Sequence, residues 1–95
     1  FEILGNYLIG DYFIGEDNTI GRDERNTISI NDKYLSKFHA RILQDEDMYF
    51  LEDLKSANGT YLNDEKILDA IELKSGDIIR IGSLKFLFIQ GDHDA

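Results

Sequence analysis

Ninety-five residues, 42 % of them hydrophobic with five Tyr and six Phe, suffice for one packed core but not for two lobes with a cleft between them. The absence of cysteine excludes disulfides and thiolate metal sites, and no apolar run approaches the roughly 18 residues that cross a bilayer. Nineteen acidic residues against ten basic ones give a net charge of −9, which opposes a nucleic-acid backbone unless cations concentrate on one face.

The chain opens at Phe1 without a charged leader or cleavage site, so it is read as a single domain, residues 1–95, of a longer cytoplasmic protein. Gly and Asn/Asp pairs recur at short intervals and leave room only for short elements. Residues 7–9, 12–14, 19–21 and 27–30 are brief β-branched or aromatic runs bounded by turn residues, and each is expected as a strand. Residues 40–44 and 48–54 are joined by Asp45-Glu46-Asp47, a hairpin with charge at its tip. Asn58-Gly59 and Asn63-Asp64 mark two further turns. Ile67, Leu68 and Ile71 fit helical spacing, but Ser75-Gly76-Asp77 allows so little length that a short strand or irregular turn is preferred. Ile79 and Ile81 flank Arg80 in the next run. In residues 84–90, Leu84, Phe86 and Phe88 alternate with Lys85, Leu87 and Ile89, as in a strand covered on both faces. Residues 91–95 are expected to fray. So many short strands at this spacing indicate a sandwich or barrel.

Three blocks stand out in order and spacing: Gly21-Arg22, then Ser36-Lys37-Phe38-His39, then Asn58-Gly59 within residues 56–60. Each alone is weak. Together they form the pattern G-R, S-x-x-H, N-G and resemble the forkhead-associated (FHA) domain family, with Asp53-Leu54 and residues 73–82 as supporting blocks. The resemblance runs from about residue 11 to residue 90. It implies an all-β fold of the SMAD/FHA type: a β-sandwich of two mostly antiparallel sheets, about eleven short strands, with recognition residues on loops at one end.

The resemblance also implies a function, phosphothreonine-peptide binding that mediates phosphorylation-dependent protein–protein interaction, and assigns residues to it. Phosphothreonine carries about −1.5 to −2 charges and three acceptor oxygens, so its site needs convergent donors and positive charge. Arg22 supplies a planar fork of N–H donors, Ser36 a compact hydroxyl and Lys37 a second charge. Asn58, with a donor and an acceptor, is expected to clamp the peptide backbone. Ala57 stands where several family members carry Thr or Ser, and cannot give the phosphate that extra hydroxyl. Gly21 and Gly59 are assigned to backbone approach, His39 to holding the loops together from beneath, and Thr60 to starting the next strand. The partner implied is a substrate of a Ser/Thr kinase, and the large negative charge is expected to disfavour very acidic flanking sequence.

Residue by residue, plainer readings compete. Arg22 alone would be a surface arginine, Ser36 a turn residue and Asn58-Gly59 a hairpin turn. Ser36 and His39 lack a defined orienting acid for a catalytic triad, and two histidines without cysteine make no zinc set, so neither catalysis, a metal nor a cofactor is expected. Nucleic acid and membrane insertion are likewise not expected. The alternative to phosphopeptide binding is a phosphate-independent FHA-like scaffold or assembly domain, which Ala57 favours.

Overall fold

The computed structural model describes the backbone of residues 2–3 and the whole of residues 15–89. Ten strands lie in these segments: β1 (Glu2–Ile3), β2 (Asp17–Gly21), β3 (Ile28–Ser29), β4 (Ala40–Asp45), β5 (Met48–Asp53), β6 (Thr60–Leu62), β7 (Glu65–Lys66), β8 (Ile71–Leu73), β9 (Ile78–Ile81) and β10 (Leu84–Leu87). The expected strands at 7–9 and 12–14, and the tail at 91–95, fall outside the described residues. No helix long and apolar enough to cross a membrane is present among them.

Two five-stranded sheets form, ordered β1-β10-β9-β6-β7 and β3-β2-β4-β5-β8. Every pairing is antiparallel except β2 with β3. The β4–β5 hairpin follows the sequence signal closely, running from Ala40 opposite Asp53 to Asp45 opposite Met48, with Glu46 in the left-handed region at φ 58°. Residues 67–70 carry the chain from one sheet to the other without a helix. The short Ser75-Gly76-Asp77 stretch permits nothing longer.

Period-two alternation sends Ile20, Ile42 and Leu51 inward from one sheet and Ile79, Ile81 and Phe86 inward from the other, all fully buried. Tyr49 meets Phe88 edge-on, ring centroids 5.4 Å apart, at the margin of this core. Buried Asn18 is satisfied by Gly15 and by the Ile42 carbonyl at 3.1 Å, so it ties the start of β2 to β4. The scaffold is therefore rigid beneath the loops that follow β2, β3 and β5.

Candidate functional site

The three sequence blocks occupy the loops between β2 and β3, β3 and β4, and β5 and β6, and they meet at one end of the sandwich. Gly21 closes β2 and is buried; a Cβ there would strike the Lys37 carbonyl oxygen and come within 2.8 Å of Asn26 Nδ2. Only glycine lets the two loops approach so closely. The contact is then sealed by backbone bonds: Arg22 N–H to the Ser36 carbonyl at 3.0 Å, and Asp23 N–H to the Lys37 carbonyl at 3.1 Å.

Arg22 Nε donates to the Leu35 carbonyl at 3.2 Å, which aims the rest of an exposed guanidinium outward. Ser36 Oγ accepts the Ala57 N–H at 3.0 Å. Its own O–H is thereby left as an outward donor, and loop two is joined to loop three. Lys37, next in the chain after Ser36, is exposed. Asn58 Nδ2 donates to the Tyr34 carbonyl at 2.8 Å, so part of the amide expected to hold a ligand also ties two loops, with Oδ1 and the second N–H remaining for a ligand.

Beneath them His39 is wholly buried. Its Nδ1 accepts the Ser36 N–H at 3.0 Å and its Nε2 lies 2.8 Å from the Gly59 carbonyl, which fixes a tautomer with Nε2 protonated and donating. The ring thus latches the second loop to the third. Gly59 has φ +86°, a conformation L side chains rarely adopt. Thr60 is buried and donates its hydroxyl to Asp53 Oδ1 at 2.6 Å.

Two organising residues had no role assigned from the sequence, Asp53, noted there only as part of a supporting block, and Asn26. Asp53 accepts from Ser56 Oγ at 2.5 Å, Ser56 N–H at 3.1 Å and Thr60, holding the whole third loop. Partial burial pushes its carboxyl up, but these three bonds outweigh that and leave it below its ordinary value. Its spacing three before Ser56 was the available signal, a side chain turning back on its own backbone. Asn26 had no such signal. It is buried, donating Nδ2 to the Asp23 and Lys37 carbonyls at 2.7 and 2.6 Å.

Charge follows the same geometry. Asp23 is gripped by Arg25 through bonds of 2.9 Å to each carboxylate oxygen, which holds its carboxyl far below the usual range. Arg25, lying 5.1 Å over the Phe38 ring, is spent on that pair and on the ring. Positive charge on the loops is also carried by the exposed Arg22, Lys33 and Lys37, with Lys33 Nζ 5.3 Å over the Tyr34 ring, and by Lys55 on the third loop. Among the described residues no group of three or more His, Asp or Glu side chains is arranged to hold a metal.

Known proteins similar to this chain point to one family. A family model, the FHA domain, matches residues 18–82. The FHA domain-containing protein FhaB of Mycobacterium tuberculosis is 40 % identical over 63 residues, covering 66 % of this chain and 41 % of FhaB. The chain thus spans about two fifths of that relative's length. Mycobacterium tuberculosis EmbR, solved in complex with a low-affinity phosphopeptide, superposes with a TM-score of 0.76 at 35 % identity, over 81 % of this chain and 21 % of EmbR. The FHA domain of CT664 from Chlamydia trachomatis reaches a TM-score of 0.87 at 25 % identity, over 96 % of this chain and 95 % of that one.

Proposed function

Because this chain belongs to the FHA domain family, we propose that residues 1–95 act as one phosphothreonine-peptide-binding module, without chemistry of its own, in the cytoplasm. Arg22, Ser36 and Lys37 hold the phosphate, and Asn58 aligns the peptide backbone. The observation that carries this is the meeting of three loops distant in sequence: Arg22 is bonded to the Ser36 backbone, and Ser36 Oγ to the Ala57 backbone, both at 3.0 Å. Loops joined in this way put a guanidinium fork, a hydroxyl and an ammonium on neighbouring segments, and a doubly charged group with three acceptor oxygens requires donors of these kinds. Gly21, His39, Gly59 and Thr60 support these segments without facing the ligand.

One observation favours a second reading. The Ala57 side chain ends at Cβ, so the third loop offers the phosphate no hydroxyl of its own at this position. A phosphate-independent scaffold that keeps the same loops for structure would tolerate that.

Calorimetric titration with a phosphothreonine peptide and its unphosphorylated twin separates the two. The phosphopeptide alone is expected to bind, and Arg22→Ala to weaken it roughly 10- to 100-fold, the worth of lost hydrogen bonds to a charged group. Equal binding of the twins would sink the phosphopeptide reading and leave the scaffold.

A further inference from the structure

The outward face of the first sheet carries a second cationic feature. Alternation in β6, β9 and β10 buries Thr60, Leu62, Ile79, Ile81, Leu84 and Phe86 and turns Tyr61, Arg80 and Lys85 to solvent. Register then aligns them: Lys85 opposes Arg80, Arg80 opposes Tyr61, and Tyr61 opposes Lys66. The result is a row Lys85-Arg80-Tyr61-Lys66 across four strands, with no acid in it. Arg80 stacks on Tyr61 with its guanidinium carbon 4.0 Å from the ring centroid. Arg25, Arg41 and Lys74 are ion-paired, and among the described residues Lys66, Arg80 and Lys85, like the loop cations Arg22, Lys33, Lys37 and Lys55, have no ion-pair partner. On a chain of net charge −9 such a row does not follow from composition.

It is also continuous with the loop site. A Cβ on Gly59 would lie 3.1 Å from Lys66 Cε and 3.3 Å from Tyr61 Cε1, so both side chains pack close to this glycine, the residue that follows Asn58. From there a groove of about 280 Å³, lined by Tyr34, Asn58, Tyr61, Arg80, Gly82 and Ser83, opens onto the row.

We propose that this row binds acidic side chains flanking the phosphothreonine, so that the module selects peptides with an acidic run on one side of the phosphorylated residue. The proposal rests on the phosphopeptide reading and reverses, locally, the expectation from net charge. Three inter-strand gaps of about 4.8 Å are crossed by four or five extended residues at roughly 3.3 Å each. A short run of Glu or Asp therefore spans the row. Elsewhere the domain's own charge repels such a run, which gives the bound peptide one orientation.

The test compares phosphothreonine peptides carrying four Glu before the phosphothreonine, four Glu after it, or Gln throughout. One of the acidic peptides is expected to bind roughly tenfold tighter than the Gln peptide at low salt, as several partly exposed charge pairs would give. The advantage should vanish in R80Q/K85Q, while the Gln peptide binds wild type and variant alike. No advantage for either acidic peptide, or one that survives R80Q/K85Q, overturns the proposal. So does tighter binding of a single-stranded oligonucleotide at the same row. If no phosphopeptide binds at all, the phosphopeptide reading fails separately. Amide shifts of Arg80 and Lys85 on adding the unphosphorylated four-Glu peptide then decide the row by themselves: their appearance upholds it and their absence ends it.

Discussion

Ala57 contributes its backbone N–H to Ser36 Oγ and nothing more to the site. Its exposed Cβ stands between Ser56, which is turned inward to Asp53, and Asn58. A hydroxyl placed on that Cβ adds a donor beside the Ser36 hydroxyl, and a hydrogen bond to a charged group is worth about 1.5–3 kcal/mol. Ala57→Thr is accordingly expected to tighten phosphopeptide binding about tenfold, read by calorimetry; unchanged or weaker affinity would count against the placing of the phosphate. Asp53 gives a second consequence at this scale. Its pKa is lowered on folding, so its contribution to stability is complete above the unfolded carboxylate value and is lost as pH falls through the folded one. Asp53→Asn should lower the thermal midpoint at neutral pH and flatten the acid limb of a stability profile below about pH 4. An acid limb as steep as that of wild type would remove Asp53 from this role. The motif residues stood out in the sequence through their joint order and spacing, G-R, S-x-x-H and N-G, which resemble the FHA family, and not through any one of them alone. Asn26 was not, because its use lies in two carbonyls that come together only when the loops fold against each other.

Turn chemistry decides how well an element can be read in advance. The β4–β5 hairpin was legible because alternating apolar residues flank an acidic tip, and the ladder runs without interruption. The parallel pairing of β2 with β3 was not, since two-residue β3 has too few positions to show a period. Gly21 was singled out for close approach, and the identity of what it approaches, the Lys37 carbonyl, needed the fold. Between β6 and β7 the turn residues Asn63 and Asp64 have φ of 50° and 70°, and Leu62 pairs with Glu65 across them. Both central residues left-handed is the geometry that favours Asn-Gly. Asn63 is fixed there by its Oδ1 accepting the Ile78 N–H at 2.9 Å, while Asp64 bears the left-handed strain with a side chain in the way. Asp64→Gly is expected to stabilise the fold by about 0.5–1 kcal/mol, measured by urea denaturation, without changing phosphopeptide affinity. A destabilised variant would mean that Asp64 is held by more than its turn.

For the molecule as a whole, charge acts on folding and on binding with opposite sign. Net charge is −9, and the ion pairs seen, Asp23–Arg25, Asp17–Arg41, Glu52–Arg41 and Glu72–Lys74, are all at the surface, where each contributes little. Self-repulsion among the remaining acids therefore outweighs what these pairs give, and screening it favours the compact state. The proposed loop site would work the other way, because Arg22 and Lys37 holding a dianion attract it over a distance that salt shortens. At 0.01 M ionic strength the screening length is about 30 Å, comparable with the molecule's 40 × 28 × 26 Å extents, and at 1 M it is about 3 Å. Raising NaCl from 0.02 to 0.5 M should then lift the thermal midpoint by a few degrees, followed by calorimetry, while weakening phosphopeptide binding several-fold. Because the two trends come from different residues, Arg22→Ala should remove most of the second and leave the first. A midpoint that falls with salt would show that the surface pairs, and not the excess of acids, govern this fold.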